Sequence, residues 1–441
     1  MYDDELLNKY SKRMLSWAKS LWPMNRSLTG EGNLKTLNFI KEKFKNLNIL
    51  SANSGKKVFD WKVPEEWKIK DAFIKGEDGK KICEFKKNNL HLLGYSEPID
   101  KTVSLKELSK HLYTLKNQPK FIPYVTSYYE KKWGFCISYK EFKKLKNQKY
   151  RVFIDSEHFN GKMHYAEIVN QGKSKKEIFF STNICHPSMA NNEISGICLL
   201  MGIAQYIQSN FKKTNYTYRF LFIPETIGSI NYISDNFKNM KKKIFAGYTI
   251  SCVGDERAFS LIHSPYQNNF SEKFLHTILK KKKNYKQYSF LDRGSDERQY
   301  CSSLVDLPIC GFCRSKYGEY PEYHTSGDDF NVVTQKGLKG SLEVFIDLIN
   351  GLENSFIKPR AKYKCEPFMG KRNLYNNTST KITMSRKDKK MKNFRINLDF
   401  LAYANGKNDL FDIANYLNIS VGEVLLTFET LKINKLLTFK K

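Results

Sequence analysis

Arginine is what this chain has least of for its charge: only 12 of its 74 basic residues are Arg, set against 45 acidic residues and a formal net charge of +29. Base edges and phosphates are gripped best by arginine's planar fork. A charge excess made of lysine gives non-specific attraction to phosphate but argues against a dedicated nucleic-acid face. The runs Lys241–Lys243, Lys280–Lys283 and Lys387–Lys392 are scattered and read as solvated surface. Long apolar runs are also missing. None reaches the roughly 20 residues of a membrane span, and the acidic start Met-Tyr-Asp-Asp-Glu lacks the basic-then-apolar order of an export signal. The expectation is a soluble, cytoplasmic protein with no membrane partner. Cys310-Gly-Phe-Cys313 has no second pair to build a zinc ribbon with, so it reads as part of an apolar strand. The cysteines number nine, an odd count, which suits small buried thiols in a reducing compartment. Internal repeats are absent as well.

What is present is a globular composition, 41% hydrophobic and 14% aromatic over 441 residues, enough for two or three domains. Residues 5–21 and 31–46 carry apolar positions at helical spacing, with turn formers from Pro23 to Gly30 between them. From about Lys57 to Ser138 the texture changes to short aromatic runs broken by turns, the pattern of a small β-rich unit. From Tyr150 strand and helix alternate, which predicts an α/β sheet flanked by helices. Strands are expected at Arg151–Asp155, Met163–Val169, Glu177–Cys185, Tyr218–Pro224, Ala246–Val253 and Leu307–Cys313. Helices are expected at Glu193–Ser209, Ser229–Asn236, Asn268–Lys281 and Gln335–Glu353. A polar linker runs from Lys358 to about Lys392. After it, Leu398–Tyr403, Leu410–Leu417 and Val421–Leu431 fit a helix-turn-helix, with the closing Lys435-Leu-Leu-Thr-Phe as a wing. Its recognition-helix candidate offers Glu423, Glu429 and Lys432 and no Arg, which favours docking or oligomerisation over reading DNA. The expected domains are an α/β domain of residues 1–56 and 139–357, a β-rich insertion of 57–138, and a winged helix of 375–441.

In an open α/β sheet, ligands gather at the carboxyl ends of the strands. Four polar residues follow apolar runs there: His186, Glu225, Asp255 and His324. Two imidazoles and an aspartate form a ligand set that zinc favours, with a position left open for water and a glutamate nearby as base. That combination describes a metallohydrolase. His91, His158, His164 and His263 have no such setting and read as structural.

Eight motifs, in order along nearly the whole chain, carry a resemblance: Asn25-Arg-Ser-Leu-Thr-Gly-Glu-Gly, Phe59-Asp-Trp-Lys-Val-Pro-Glu-Glu-Trp, Tyr124-Val-Thr-Ser-Tyr-Tyr, Trp133-Gly-Phe-Cys, Cys185-His-Pro-Ser-Met-Ala-Asn-Asn-Glu-Ile-Ser-Gly, Pro224-Glu-Thr-Ile-Gly-Ser, Gly294-Ser-Asp-Glu-Arg-Gln-Tyr and Tyr317-Gly-Glu-Tyr-Pro-Glu-Tyr-His-Thr-Ser. The chain resembles the zinc aminopeptidase-like proteins that carry an inserted domain of unknown function and a C-terminal winged helix. The resemblance implies His186, Asp255 and His324 as metal ligands and Glu225 as the catalytic carboxylate or a fourth ligand. It also places Asn192 where the wider family has a metal-bridging Asp, and Thr226 where it has a second Glu. A neutral amide bridges two cations poorly, so one zinc is expected rather than two. Glu193, one residue on, is the carboxylate that could substitute for that bridge, but one residue's shift at a helix start turns a side chain roughly 100° away. Asp296 matches a residue supporting the metal or facing substrate, with a helix N-terminal role as the alternative. Arg26, Arg298 and Arg314 are candidate anchors for a substrate carboxylate. The resemblance implies hydrolysis of an amide or ester bond in a small peptide-like, acyl-linked or glycan-linked substrate, in surface-polysaccharide or glycoconjugate biosynthesis. The alternative is a non-catalytic metal- or ligand-binding factor in such a pathway. A homo-oligomer formed through the inserted or winged-helix domain is a further expectation.

Overall fold

The computed structural model describes residues 4–267, 269–354, 357–374 and 389–439. The chain divides into two compact units: Glu272–Tyr285 with Glu343–Lys441, and Asp3–Ser271 with Lys286–Leu342.

The larger unit is organised by an eight-stranded mixed sheet in the order Leu47–Asn53, Lys162–Asn170, Thr217–Ile223, Glu177–Asn183, Ile244–Ile250, Ile309–Cys313, Phe259–Ile262 and Tyr285–Tyr288. The four strands from Thr217–Ile223 to Ile309–Cys313 run parallel, and antiparallel strands flank them. Near-continuous apolar sequence produces this arrangement, because a parallel strand is covered on both faces. Phe179, Phe180, Phe220 and Phe222 are fully buried. Both cysteines of Cys310-Gly-Phe-Cys313 lie in such a strand as buried thiols. Helix Ser195–Asn210 is buried along most of its length, and helix Asp4–Leu21 packs on it. Gly202 permits the approach, since a Cβ there would stand 2.5 Å from the Met14 sulfur.

Chain order sets the place of the site. From Glu177–Asn183 the chain crosses to Thr217–Ile223 on one side, then to Ile244–Ile250 on the other. The carboxyl end of Glu177–Asn183 is therefore a topological switch point, where the connections diverge and leave a crevice. His186 follows this strand by three residues.

A second, antiparallel sheet has the order Lys81–Ile82, Glu66–Gly76, Lys149–Phe159 and Ile99–Ser104. Its inner strand Lys149–Phe159 lies beyond Ser138, the residue at which the insertion was expected to end. Alternate residues of this strand, Tyr150, Val152 and Ile154, are buried against Trp67, Ala72, Ile74, Val103 and Phe135. Period-two alternation is the mark of a half-buried strand, and in sequence it is indistinguishable from a strand of the large sheet. A tight turn joins the two opening helices. A Cβ on Gly32 would stand 1.9 Å from the Asn25 carbonyl oxygen and 3.0 Å from the Arg26 nitrogen. Gly32→Ala is therefore expected to lower stability by at least the ~1–3 kcal/mol of an overpacked site, read as a lower denaturant midpoint.

In the smaller unit, helices Lys389–Tyr403, Leu410–Leu417 and Val421–Ile433 are followed by strand Leu437–Phe439, which pairs antiparallel with Pro359–Ala361. Capping boxes Asp409/Asp412 and Ser420/Glu423 start the last two helices, each satisfying backbone donors reciprocally. Glu423 is thus engaged by its own backbone. The winged-helix unit begins before the expected residue 375, since the first strand of its wing lies in the stretch read as linker. Its short polar sequence containing Pro359 matches an edge strand. Residues 375–388 of the expected linker lie outside the described residues.

Candidate active site

After strand Glu177–Asn183 the chain turns through Ile184 and Cys185 to His186, and a π-helical turn, Ala190–Ile194, leads into helix Ser195–Asn210. Such turns recur at functional sites; this one swings Glu193 back under the strand end. Its Oε2 accepts the backbone N–H groups of Cys185 and His186, each at 2.6 Å, and lies 2.7 Å from His186 Nδ1. Its Oε1 accepts the Arg26 Nε–H at 3.0 Å, and the Glu193 and Arg26 side chains are wholly buried. Burial opposes charge on His186, but hydrogen bonding and the charge of Glu193 prevail and hold the imidazole above its ordinary value. Glu193 is likewise opposed by burial, yet His186 and Arg26 keep it below its ordinary value. With Nδ1 committed to a carboxylate, His186 has Nε2 left for a ligand.

Nε2 looks toward two other groups. Glu225 Oε2 lies 3.8 Å from it, and the His324 ring centroid is 5.3 Å from that of His186. His324 Nε2 is buried without a hydrogen-bond partner among the described residues, and burial, then the charge of His186, pushes this imidazole down to about 3. A buried polar atom without a partner is costly in a folded protein. Two imidazoles and a carboxylate lining one cavity match zinc's preferred donors, three from protein with a position left open.

Tyr124 packs against both rings, with centroids 5.2 Å from His186 and 5.0 Å from His324. Its backbone N–H donates to the His324 carbonyl at 2.8 Å, which ties the inserted segment to the site. The hydroxyls of Tyr124 and Tyr128 are 2.7 Å apart, and burial raises both well above the ordinary phenol value. Both keep their protons. Together with Trp61, Thr126, Tyr129, Thr226 and Arg298, these residues line a cavity of about 330 Å³. The motif Tyr124-Val-Thr-Ser-Tyr-Tyr marked this stretch in the sequence, but tyrosines in an aromatic-rich segment carry no chemical signature of their own.

Asp296 stands behind Glu225. Its Oδ1 accepts the Thr226 N–H at 2.8 Å and the Ser229 hydroxyl at 2.9 Å, while Oδ2 is buried without a hydrogen-bond partner among the described residues. Burial, then the charge of Glu225, raises this carboxyl from 3.8 to about 8. Because the folded state holds a proton that the unfolded chain releases, this group's contribution to stability falls as pH rises from about 3.8 to about 8. Asp296→Asn keeps the Oδ1 acceptor and cannot ionise. In chelator-treated protein it is expected to melt at a higher temperature than wild type at pH 8, the gap closing toward pH 4. Thermal scans across that range check this.

The other expected site residues fall elsewhere. Asp255, expected as a ligand, is engaged by protein donors: Oδ1 accepts from Arg257 N and Ser315 Oγ, and Oδ2 from Asn191 Nδ2 and Ser315 N. Four donors saturate this carboxylate, and it does not line the cavity. Arg26 is the buried partner of Glu193 and of the Leu21 carbonyl, not an anchor reaching substrate. Arg314 donates to the Ala258 and Gly337 carbonyls and stacks on Phe259 at 3.8 Å, also a structural position. The Asn192 N–H donates to Asp328 and its carbonyl accepts the Ser251 hydroxyl, while its side-chain oxygen lies 3.4 Å from Cys252 Sγ. Cys185, His186 and Glu193 offer ligand atoms close together, but Glu193 Oε2 is already used by Cys185 and His186 and its Oε1 by Arg26. His186, Glu225, His324 and Arg298 are the sequence candidates that meet in the cavity.

Residues 15–355 match the family described as a domain of unknown function, DUF4910, and residues 358–439 match a winged helix-turn-helix family. A Clostridium acetobutylicum protein whose name joins polysaccharide biosynthesis to an aminopeptidase-like domain is 37% identical over 418 residues, 93% of this chain and 94% of its own. A crystal structure from the same organism, described as a peptidase, aligns with a TM-score of 0.89 at 34% identity and covers 99% of this chain and 98% of that one. The zinc aminopeptidase of Bacillus subtilis aligns over 76% of this chain and 93% of its own with a TM-score of 0.57 at 13% identity, a likeness of fold. This chain is a member of the DUF4910 family, built on the aminopeptidase fold and closed by a winged helix.

Proposed function

We propose that this protein is a one-zinc hydrolase of an amide or ester bond in a small acyl-linked or glycan-linked substrate of polysaccharide or glycoconjugate biosynthesis. The observation that carries the reading is the buried Nε2 of His324, without a hydrogen-bond partner among the described residues, on a ring 5.3 Å from that of His186 in the cavity that Glu225 also lines. His186 and His324 would hold the ion through Nε2, and Glu225 through its carboxylate, so that Glu225 takes the ligand role of its two expected ones. Zinc there supplies Lewis acidity toward a carbonyl and brings the pKa of water to about 7. Asn192 offers no negative charge to a second ion, which supports a count of one.

The chain's own groups do the rest. Glu193 fixes the imidazole of His186 through Nδ1, and Arg26 fixes Glu193. The paired phenols of Tyr124 and Tyr128 have one hydroxyl proton beyond the one they share, available to a carbonyl oxygen as negative charge builds on it. Water adds across the acyl bond, giving a carboxylic acid and the freed amine or alcohol. The name of the Clostridium acetobutylicum relative supports the pathway.

Elemental analysis of the purified protein tests the reading. About one zinc per chain, together with hydrolysis of acyl-sugar or amide substrates that stops on chelation, is expected. Zinc without hydrolysis of any such substrate would transfer the protein to the non-catalytic, ligand-binding alternative.

A further inference from the structure

Two features of the cavity have no part in that chemistry. At its mouth, Trp61 and Tyr129 meet edge to face, ring centroids 5.4 Å apart at 69°, and they remain 37% and 57% exposed. A lone exposed aromatic ring needs no explanation, but two in contact at the rim of a cavity make an apolar patch of the kind that binds ligands. Trp61 comes from the chain between Leu47–Asn53 and Glu66–Gly76, and Tyr129 from the chain between Ile99–Ser104 and Lys149–Phe159 of the second sheet, whereas His186 and Glu225 follow strands of the large sheet. The second feature is Arg298. One of its terminal nitrogens donates to Thr226 Oγ1 at 2.5 Å, its Nε is buried without a hydrogen-bond partner, and it makes no ion pair among the described residues. A guanidinium held on one side with donors unspent matches a planar anion, which it grips bidentately.

We infer that the cavity binds an acidic sugar: a pyranose whose C–H face lies on one ring of the edge-to-face pair Trp61 and Tyr129 while its rim meets the other, with its carboxylate on Arg298. The inference rests on the hydrolase reading for the identity of the site and adds the class of substrate. Sugar C–H groups carry small positive charge and aromatic faces carry negative charge, so a ring lying on an open aromatic face is attracted without a hydrogen bond. The carboxylate supplies the charge-assisted pair that selects an acidic over a neutral ring. The relative whose name includes polysaccharide biosynthesis is consistent with such a ligand.

The probes are the methyl glycosides of galacturonic acid and of galactose, alike except for the carboxylate. Their binding to the full-length, chelator-treated protein is followed by calorimetry and ligand-observed NMR, so that neither turnover nor zinc contributes. The uronide is expected to bind roughly ten- to hundred-fold more tightly than the galactoside, the worth of one hydrogen bond to a charged group. Arg298→Gln is expected to erase that preference, and Arg298→Lys to restore part of it. Trp61→Ala combined with Tyr129→Ala is expected to weaken both probes by a similar factor. Equal binding of the two glycosides by wild type, or no binding of either, overturns the inference whether or not any variant folds. Binding as expected from a protein that hydrolyses nothing would fail the hydrolase reading alone. Zinc-dependent hydrolysis without uronide preference would fail this inference alone.

Discussion

Replacing Glu193 with alanine is expected to cost about 3–5 kcal/mol, the scale of breaking a buried ion pair by removing one partner. The change would strand the Arg26 guanidinium, two backbone N–H groups and His186 Nδ1, all of which now end on one carboxylate. Urea unfolding should show the loss as a reduced soluble yield and a lower midpoint. Glu193→Gln is the more informative variant. It keeps an acceptor, and with it more of the fold, but removes the charge that orients His186, so zinc affinity should fall roughly 10–100-fold, as for other partners of metal-bound histidines. Wild-type zinc affinity in Glu193→Gln would sink the assignment of Glu193 as the residue that positions His186. The same pair gives metal-free protein a pH signature. The Glu193 contribution is present above the ordinary value of 4.5 and is lost as pH falls through its lowered one. The His186 contribution is present below 6.5 and is lost as pH rises through its raised one. Between 4.5 and 6.5 both act, and Glu193→Gln should flatten the profile on both sides of that window.

His324→Ala is expected to act in the opposite sense on metal and fold. It removes a proposed ligand, so zinc should bind at least ~100-fold more weakly, by analogy with the loss of a supporting residue, which alone costs 10–100-fold. Hydrolysis should disappear with the metal. Stability without metal should fall only by the ring packing lost on Tyr124 and Tyr323, about 0.5–3 kcal/mol, because Nε2 has no hydrogen-bond partner to lose among the described residues. Competition for zinc against a fluorescent chelator, read beside thermal melting of the chelated proteins, separates the two effects. Wild-type zinc affinity in His324→Ala would show that the ion, if bound, sits elsewhere. Glu225→Gln should also bind zinc more weakly. Intact zinc with lost hydrolysis would instead return Glu225 to the role of proton acceptor.

Much of this architecture was legible before any coordinates, because its signals are local. Apolar runs in Glu177–Asn183 and Thr217–Ile223 announce parallel strands whatever surrounds them, and helix Gln335–Asn354 ends one residue past its expected end. His186, Glu225 and His324 were picked out because each directly follows or closes a recognisable motif. Asp255 failed for a non-local reason. It follows a strand as the others do, but Ser315 and Asn191, brought in from distant segments, join the neighbouring Arg257 N–H in donating to it. Arg26 and Arg314 failed in the same way: scarce arginine beside a motif is compatible with an anchor for substrate and with a buried partner for the fold, and only burial tells these apart.

The sequence by itself determined the four parallel strands Glu177–Asn183, Thr217–Ile223, Ile244–Ile250 and Ile309–Cys313 and the helices of the winged unit, since these depend on periodicity and residue identity; the flanking strands Leu47–Asn53, Phe259–Ile262 and Tyr285–Tyr288 carried too little apolar pattern to be expected. Tertiary structure alone decided that Glu193, on a π-helical turn, reaches back to hold His186 and is held by Arg26, 167 residues away. It also decided that Tyr124 and Tyr128 wall the site, and that Lys149–Phe159 belongs to the second sheet. The reason is the same in each case: a side chain's partners are set by where distant segments pack, and a sequence read along its length carries no distance between them.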